Sequence, residues 1–338
     1  MQNVSCNNET ISEDPGYVDI EKFLKFENLV RYLIPITFAL IAVLGIVGNA
    51  LVIHVFVILS KKKLQNTTNI LIVSLAAADL LFLVFCVPFT AANYAMSYWP
   101  FGNVWCKIVN FMTHVCAYVS IWTLVLLSLD RFIAVVHPVF SKQIRNFRNT
   151  CLLLGITWTL ILCGNVPILL QYGVLHYQWM GFDRSSCLNL AGLRSKIMLK
   201  VFYGCFFVFG YVLPLTLICV LYGFLLKRML HRSTATRHQR RRSLHRKRRV
   251  IRMVVAFVVA FAICWLPIQV MCIVKTFTHY EQTMESTAIL MVANCMSYIN
   301  SCINPVLYAF LSKDFQRSFR SGFYEVTSSS QRPIQDGR

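Results

Sequence analysis

Charge is what this sequence has least of. Only 14% of its 338 residues are charged and 57% are hydrophobic, against about 25% charged in a soluble domain, which excludes a soluble fold. Acid is scarcer than base: 14 Asp and Glu stand against 33 Lys and Arg, a formal net charge of +19. Catalytic signatures are missing too. The chain has no His-Glu-x-x-His, no Gly-rich phosphate loop and no nucleophile elbow, so neither an enzyme nor a bound cofactor is expected. The polar head Met1–Arg31 lacks the charged n-region, short apolar stretch and cleavage site of a signal peptide, so the first apolar segment is expected to act as its own insertion signal.

What is present in quantity is apolar length. Windows near the ~20 residues needed to cross a bilayer lie at Leu33–Leu59, Ile70–Tyr94, Val104–Val136, Cys151–Leu170, Ile197–Leu226, Val250–Val274 and Thr287–Leu311. The expected fold is therefore an all-α membrane protein, one seven-transmembrane helix bundle over 31–311. A tail over 1–30 precedes it, and an amphipathic eighth helix with a cytoplasmic tail over 312–338 follows. Positive charge falls in alternate loops: Lys61–Lys63, then Lys142, Arg145 and Arg148, then a block from Lys227 to Arg252, with Lys313, Arg317 and Arg320 beyond the last span. The positive-inside rule turns those loops to the cytoplasm and the N-terminus outward, in a multi-pass plasma-membrane protein. It also accounts for the basic block without nucleic acid. Asn3 and Asn8 head sequons on the exported tail and are expected to be glycosylated; Asn66 heads another, but on the cytoplasmic side.

Six spans carry a residue that a bilayer should forbid. Asn49, Asp79, Arg131, Pro214, Trp265 with Pro267, and Asn304 with Pro305 lie within or at the edge of the windows, and an ionisable residue at membrane depth costs roughly 3 kcal/mol or more. Most cysteines within spans are small packing residues. Cys106 and Cys187 differ, since both fall at the outer face, where a bridge between them would pin the loop before the fifth span over the mouth of the bundle. Cys6 is also outside, with Cys272 a weak candidate mate. His54 and His137, near the cytoplasmic ends of their spans, are expected to be packed or hydrogen-bonded. His114 shares a helical face with Asn110, Thr113 and Ala117, and on these residues alone either a satisfied core histidine or a ligand contact is open. A seven-span transporter or proton pump would need a continuous path of ionisable residues, whereas Asp79 is the one acid clearly inside the bundle.

Taken in order, Gly48-Asn49, Ser74-Leu75-Ala76-Ala77-Ala78-Asp79, Asp130-Arg131-Phe132, Trp158, Pro214 with Tyr222, Cys264-Trp265-Leu266-Pro267 and Asn304-Pro305-Val306-Leu307-Tyr308 resemble the rhodopsin-like family of G-protein-coupled receptors from Arg31 to Phe323. The resemblance implies a sodium site made of Asp79, Ser120, Asn300, Ser301 and Asn304, with oxygen ligands suited to a hard cation. Pro267 and Pro305 would act as hinges. Ile121, Pro214 and Phe261 would form a packing switch below Trp265, with Tyr222 and Tyr308 among the switch residues. Asp130 would hold Arg131 at rest and release it to a heterotrimeric G protein. The acidic lock that the family often places at the base of the sixth helix is replaced here by Arg246-Lys247-Arg248-Arg249.

Ligand class narrows by further absences. The outer third span has Thr113 where amine receptors have an aspartate, and Thr287–Phe310 holds no lysine for a Schiff base. Tyr94, Tyr98, Trp99, Phe101, Trp105, Tyr177 and Trp179 make the mouth aromatic and wide, as suits a peptide with apolar anchors. Tyr98-Trp99-Pro100-Phe101-Gly102, Trp105-Cys106 and the run from Leu124 to Pro138 are similar to the galanin and allatostatin-A receptor group, nearer its allatostatin side. That group implies a short neuropeptide, amidated in the allatostatin branch, and inhibitory G proteins; another peptide-receptor branch is the alternative. Galanin receptors have histidines where this chain has Ile268 and Gln269. Expected ligand contacts are Asn110, Thr113, His114, Tyr177, Trp179, Trp265, Gln269, Asn294 and Tyr298. Leu311, Phe315, Phe319 and Phe323 recur every four residues between basic ones, the pattern of a helix lying on membrane lipid. No cysteine follows Cys302 to take a palmitoyl anchor. Thr327 and Ser328–Ser330 offer either arrestin-binding phosphosites or an ordinary polar tail.

Overall fold

The computed structural model describes residues 15–59, 66–96, 98–179, 181–231, 237–278, 283–311, 315–317 and 319. Asn3, Asn8, Cys6, Lys61–Lys63, Phe323 and Thr327–Ser330 lie outside the described residues, as do the side chains of Trp179 and Arg246–Arg249.

Seven helices are long and apolar enough to cross a membrane: Leu24–Ile58, Thr67–Ala95, Gly102–Val136, Phe147–Gln171, Lys196–Arg228, Val255–Phe277 and Met284–Phe310. The first span is sided in the manner of a lipid-facing helix. Ile34, Phe38, Ile41, Asn49 and Val52 are buried, while Leu33, Ile36, Leu40, Val43, Leu44 and Val47 are exposed. Both faces are apolar, so sidedness here separates neighbouring helices from lipid and not core from water. The helix starts at Pro15, well inside the 1–30 tail, because nothing in the acidic stretch to Glu27 breaks it. A short helix, Pro138–Ile144, follows the third span.

Proline and glycine set several of the departures from straight helix. The second span breaks at Cys86, one residue before the turn that opens with Val87 and Pro88. The fifth widens to a π-turn over Val208–Val212 immediately ahead of Pro214, whose ring nitrogen has no hydrogen to give the preceding turn. Pro305 likewise leaves the Ser301 carbonyl without its usual helical donor. Asn49 supplies one: its Nδ2 donates to Ser301 O at 2.9 Å and to Gly45 O at 2.9 Å. Gly48 permits that approach, since a Cβ there would lie 2.9 Å from the Pro305 ring.

Between the fourth and fifth spans the chain forms an antiparallel hairpin, β1 (Tyr172–Trp179) and β2 (Phe182–Asn189). The sequence reading expected only a loop here. Gly181 takes φ +79° at the turn, a conformation that glycine adopts without steric cost.

The eighth helix is not clearly formed among the described residues. Phe315–Arg317 and Phe319 are helical, and Phe315 is buried with its ring 5.9 Å from that of Phe56. Phe315 therefore packs on the first span, where the sequence pattern placed it toward lipid; Phe319 stays exposed.

Candidate ligand cavity and switch residues

Among the ties that hold the hairpin across one end of the bundle are these four. Cys106 and Cys187 form a disulfide with Cα atoms 5.6 Å apart. Arg184 pairs with Glu27 at 2.5 Å, the Ser185 hydroxyl oxygen accepts from Trp99 N at 3.0 Å, and Asn103 Oδ1 accepts from Val174 N at 3.2 Å. Cys272 has no disulfide partner among the described residues; Cys6, for which it was the weak candidate mate, is not described.

Beneath the hairpin lies a cavity of about 240 Å³. Six of the expected ligand residues line it: Asn110, Thr113, His114, Trp265, Asn294 and Tyr298. The third-span residues share a wall because they recur on one helical face. His114 also packs its ring against Tyr172, Phe202 and Phe206, with centroids 5.9, 5.4 and 5.2 Å away. It is thus both a buried aromatic neighbour and a cavity residue, and the two readings of the sequence coexist.

Three expectations need correction or remain outside view. Tyr177 is exposed on the hairpin and bonds Ser186 across the strands at 3.3 Å; the base of the hairpin, through Tyr172, closes the cavity instead. Burial pushes the Tyr172 phenol well above its ordinary range, so it stays neutral. Gln269 is absent from the wall. It is fully buried, and neither amide atom has a partner among the described residues. The sixth-span wall is formed by Trp265, Ile268, Cys272 and Thr276, and Gln269 lies at the margin of that helical face, where neighbours cover it. The side chain of Trp179 is not described. Lys275, near the outer end of the sixth span, also lines the cavity. Periodicity from Trp265 could have found Cys272 and Thr276; no local signal marks Tyr203 or Phe206.

Below Trp265 lies a polar layer. Asp79 accepts from Ser120 at 3.2 Å, Ser301 at 3.0 Å and Asn304 at 2.7 Å, all of them buried. Asn300 makes no described bond to Asp79, but it lines a small space with Ser120, Ser301 and Trp265. Trp265 therefore lies between the larger cavity and the acid. Its ring stacks 5.8 Å from Phe261, which shares a core cluster with Ile121; Pro214 is also buried.

The opposite end departs from expectation at Asp130. Its described bonds run to Arg145 Nε at 2.7 Å, Arg145 Nη2 at 3.0 Å, Thr67 at 2.7 Å and Thr68 at 2.8 Å, where Arg131 was the expected partner. The helix Pro138–Ile144 brings Arg145 back to the carboxylate, and a two-pronged guanidinium pair is among the stronger polar contacts. Tyr222 packs on the core nearby. Tyr308 is fully buried, 4.9 Å from the Phe257 ring, and its hydroxyl has no partner among the described residues. Asn66, one of the three sequons, caps the second span by accepting from Thr68 N at 3.2 Å.

The comparisons agree with this geometry. A family model described as the 7 transmembrane receptor (rhodopsin family) matches residues 48–308. The allatostatin-A receptor of Bombyx mori is 42% identical over 326 residues, covering 94% of this chain and 88% of that protein. A galanin-like G-protein coupled receptor of Caenorhabditis elegans is 35% identical over 93% of this chain and 78% of its own length. Galanin receptor type 1 of Homo sapiens is 35% identical over 88% and 82%. With seven membrane-length helices, a bridged hairpin over a cavity and the polar layer beneath it, this multi-pass chain belongs to the rhodopsin family of seven-transmembrane receptors, proteins that are not enzymes, and to the group that holds the allatostatin-A and galanin receptors.

Proposed function

We propose that the protein is a plasma-membrane receptor, N-terminus outside, for a short C-terminally amidated neuropeptide of allatostatin-A type, and that it activates an inhibitory heterotrimeric G protein. The observation that carries this reading is the cavity under the hairpin, with neutral polar and aromatic walls, in a chain 42% identical to an allatostatin-A receptor. Among the described residues no carboxylate lines the cavity, which argues against an amine ligand. The one cationic residue among them that lines it, Lys275, lies near the rim and leaves the deeper wall neutral. A free carboxylate there would be desolvated without a partner, a penalty of several kcal/mol. Ile268 and Gln269 replace the histidines of the galanin pattern, which favours the allatostatin side. A peptide ending in Phe-Gly-Leu-amide should stimulate nucleotide exchange, with its free acid at least ~10-fold weaker. Equal potency of the two forms would refute the amide; silence toward every such peptide would move the chain to another peptide-receptor branch.

Sodium is the proposed modulator. Asp79 offers one carboxylate beside the oxygens of Ser120, Asn300, Ser301 and Asn304, a donor set that fits a hard monovalent cation. A cation there would favour the resting bundle. Raising sodium should therefore lower agonist affinity in the native receptor and leave Asp79→Asn nearly flat; the same sodium dependence in both would place the site elsewhere. Arrestin and membrane lipid are proposed as further partners of the tail.

A further inference from the structure

The hydrogen-bond donors of five polar residues on the cavity's wall are already in use. An Asn side chain carries two amide hydrogens. Asn110 Nδ2 donates to Cys106 O at 2.9 Å and to Cys187 Sγ at 3.1 Å. Thr113 gives its one hydroxyl hydrogen to Val109 O at 2.8 Å. His114 Nδ1 lies 2.8 Å from Asn110 O; a carbonyl only accepts, so Nδ1 carries the hydrogen and Nε2 of the neutral ring is a bare acceptor. On the seventh span, Ser297 donates to Asn294 O at 2.8 Å and Tyr298 to Thr90 Oγ1 at 3.3 Å. All five residues line the cavity, and what they have left to offer is lone pairs. At the floor, the Trp265 indole N–H has no acceptor among the described residues.

We infer that Asn110, Thr113 and His114 form an acceptor-only strip that selects a ligand carboxamide N–H2 and rejects a carboxylate at the same position, with His114 Nε2 as the discriminating atom. The inference rests on the peptide-receptor reading above and names the residues that would enforce its amide preference. An ammonium group could also donate to the strip, but among the described residues the charged side chain lining the cavity is Lys275 and no acid does, so a buried cation would be unpaired. A carboxamide is neutral and donates twice. An ionised carboxylate only accepts, and sets lone pair against lone pair. A site built to bond a given donor rejects the analogue lacking it, because its own buried groups are then left unpaired.

The test measures a Phe-Gly-Leu-amide peptide and its free acid, by competition binding and nucleotide exchange, on the native full-length receptor, His114→Phe and Thr113→Val. His114→Phe keeps a ring against Tyr172, Phe202 and Phe206 and removes Nε2; Thr113→Val removes a second acceptor with little change of shape. Surface labelling confirms that each variant reaches the membrane, and Thr113→Val answers if His114→Phe does not. The amide should weaken ~10-fold in His114→Phe while the acid changes less than ~3-fold, so the amide preference collapses; Thr113→Val should show a smaller shift in the same direction. A native response with an unchanged amide-to-acid ratio in both variants overturns the strip alone. Native silence toward both peptides overturns the ligand reading and the strip with it.

Discussion

Cys106→Ala should abolish surface expression or high-affinity peptide binding. Of the four ties described on the hairpin, the Cys106–Cys187 bridge is the one whose loss is large. Disulfides contribute typically ~2–4 kcal/mol, whereas a partly exposed ion pair such as Arg184–Glu27 contributes at most ~1 kcal/mol once solvent screening is allowed for. The bridge also fixes an atom of the site, since Asn110 bonds both Cys187 Sγ and the Cys106 carbonyl. Radioligand saturation on intact cells, with a surface epitope count, reads both effects. Normal binding at normal expression would show that the remaining ties suffice and that the bridge is dispensable.

Arg131→Ala should keep peptide binding and lose G-protein activation. Asn110 and Arg131 lie on one continuous helix, Gly102–Val136, and at 1.5 Å per residue the stretch between them spans roughly 30 Å. Truncation at one end should therefore leave the cavity intact. Agonist affinity is expected within ~3-fold of native, with nucleotide exchange at background. Full signalling from the variant would remove Arg131 from the coupling role. Asp130 itself is bonded twice by Arg145.

The spans were legible because a bilayer imposes length and apolarity on each helix separately, a constraint that window composition reports. Asp79, Asn304 and the prolines could be read for the converse reason: each violates that constraint locally. What could not be read depends on how distant segments meet. Arg145 reaches Asp130 only because Pro138–Ile144 doubles back, and nothing in the spacing of the two residues says so. The hairpin was missed because Tyr172–Asn189 alternates weakly, its pairing being set by ties to other parts of the chain. Gln269 was misassigned by a small helical rotation that places it under cover. The ligand strip was identified by residue type, but its hydrogen-bond polarity was invisible: sequence shows Asn, Thr and His, and coordinates show which of their hydrogens are already spoken for.

The bond from Asn49 to the Ser301 carbonyl gives the seventh helix a tether to the first. A proline interruption left to solvent or lipid would flex by degrees, but here the freed carbonyl is moored to a different helix in a buried site. Bending at Pro305 must either carry the first helix along or break a contact whose net contribution is about 1 kcal/mol. The tether therefore couples any bending at Pro305 to the first helix and weights the population toward the bonded arrangement.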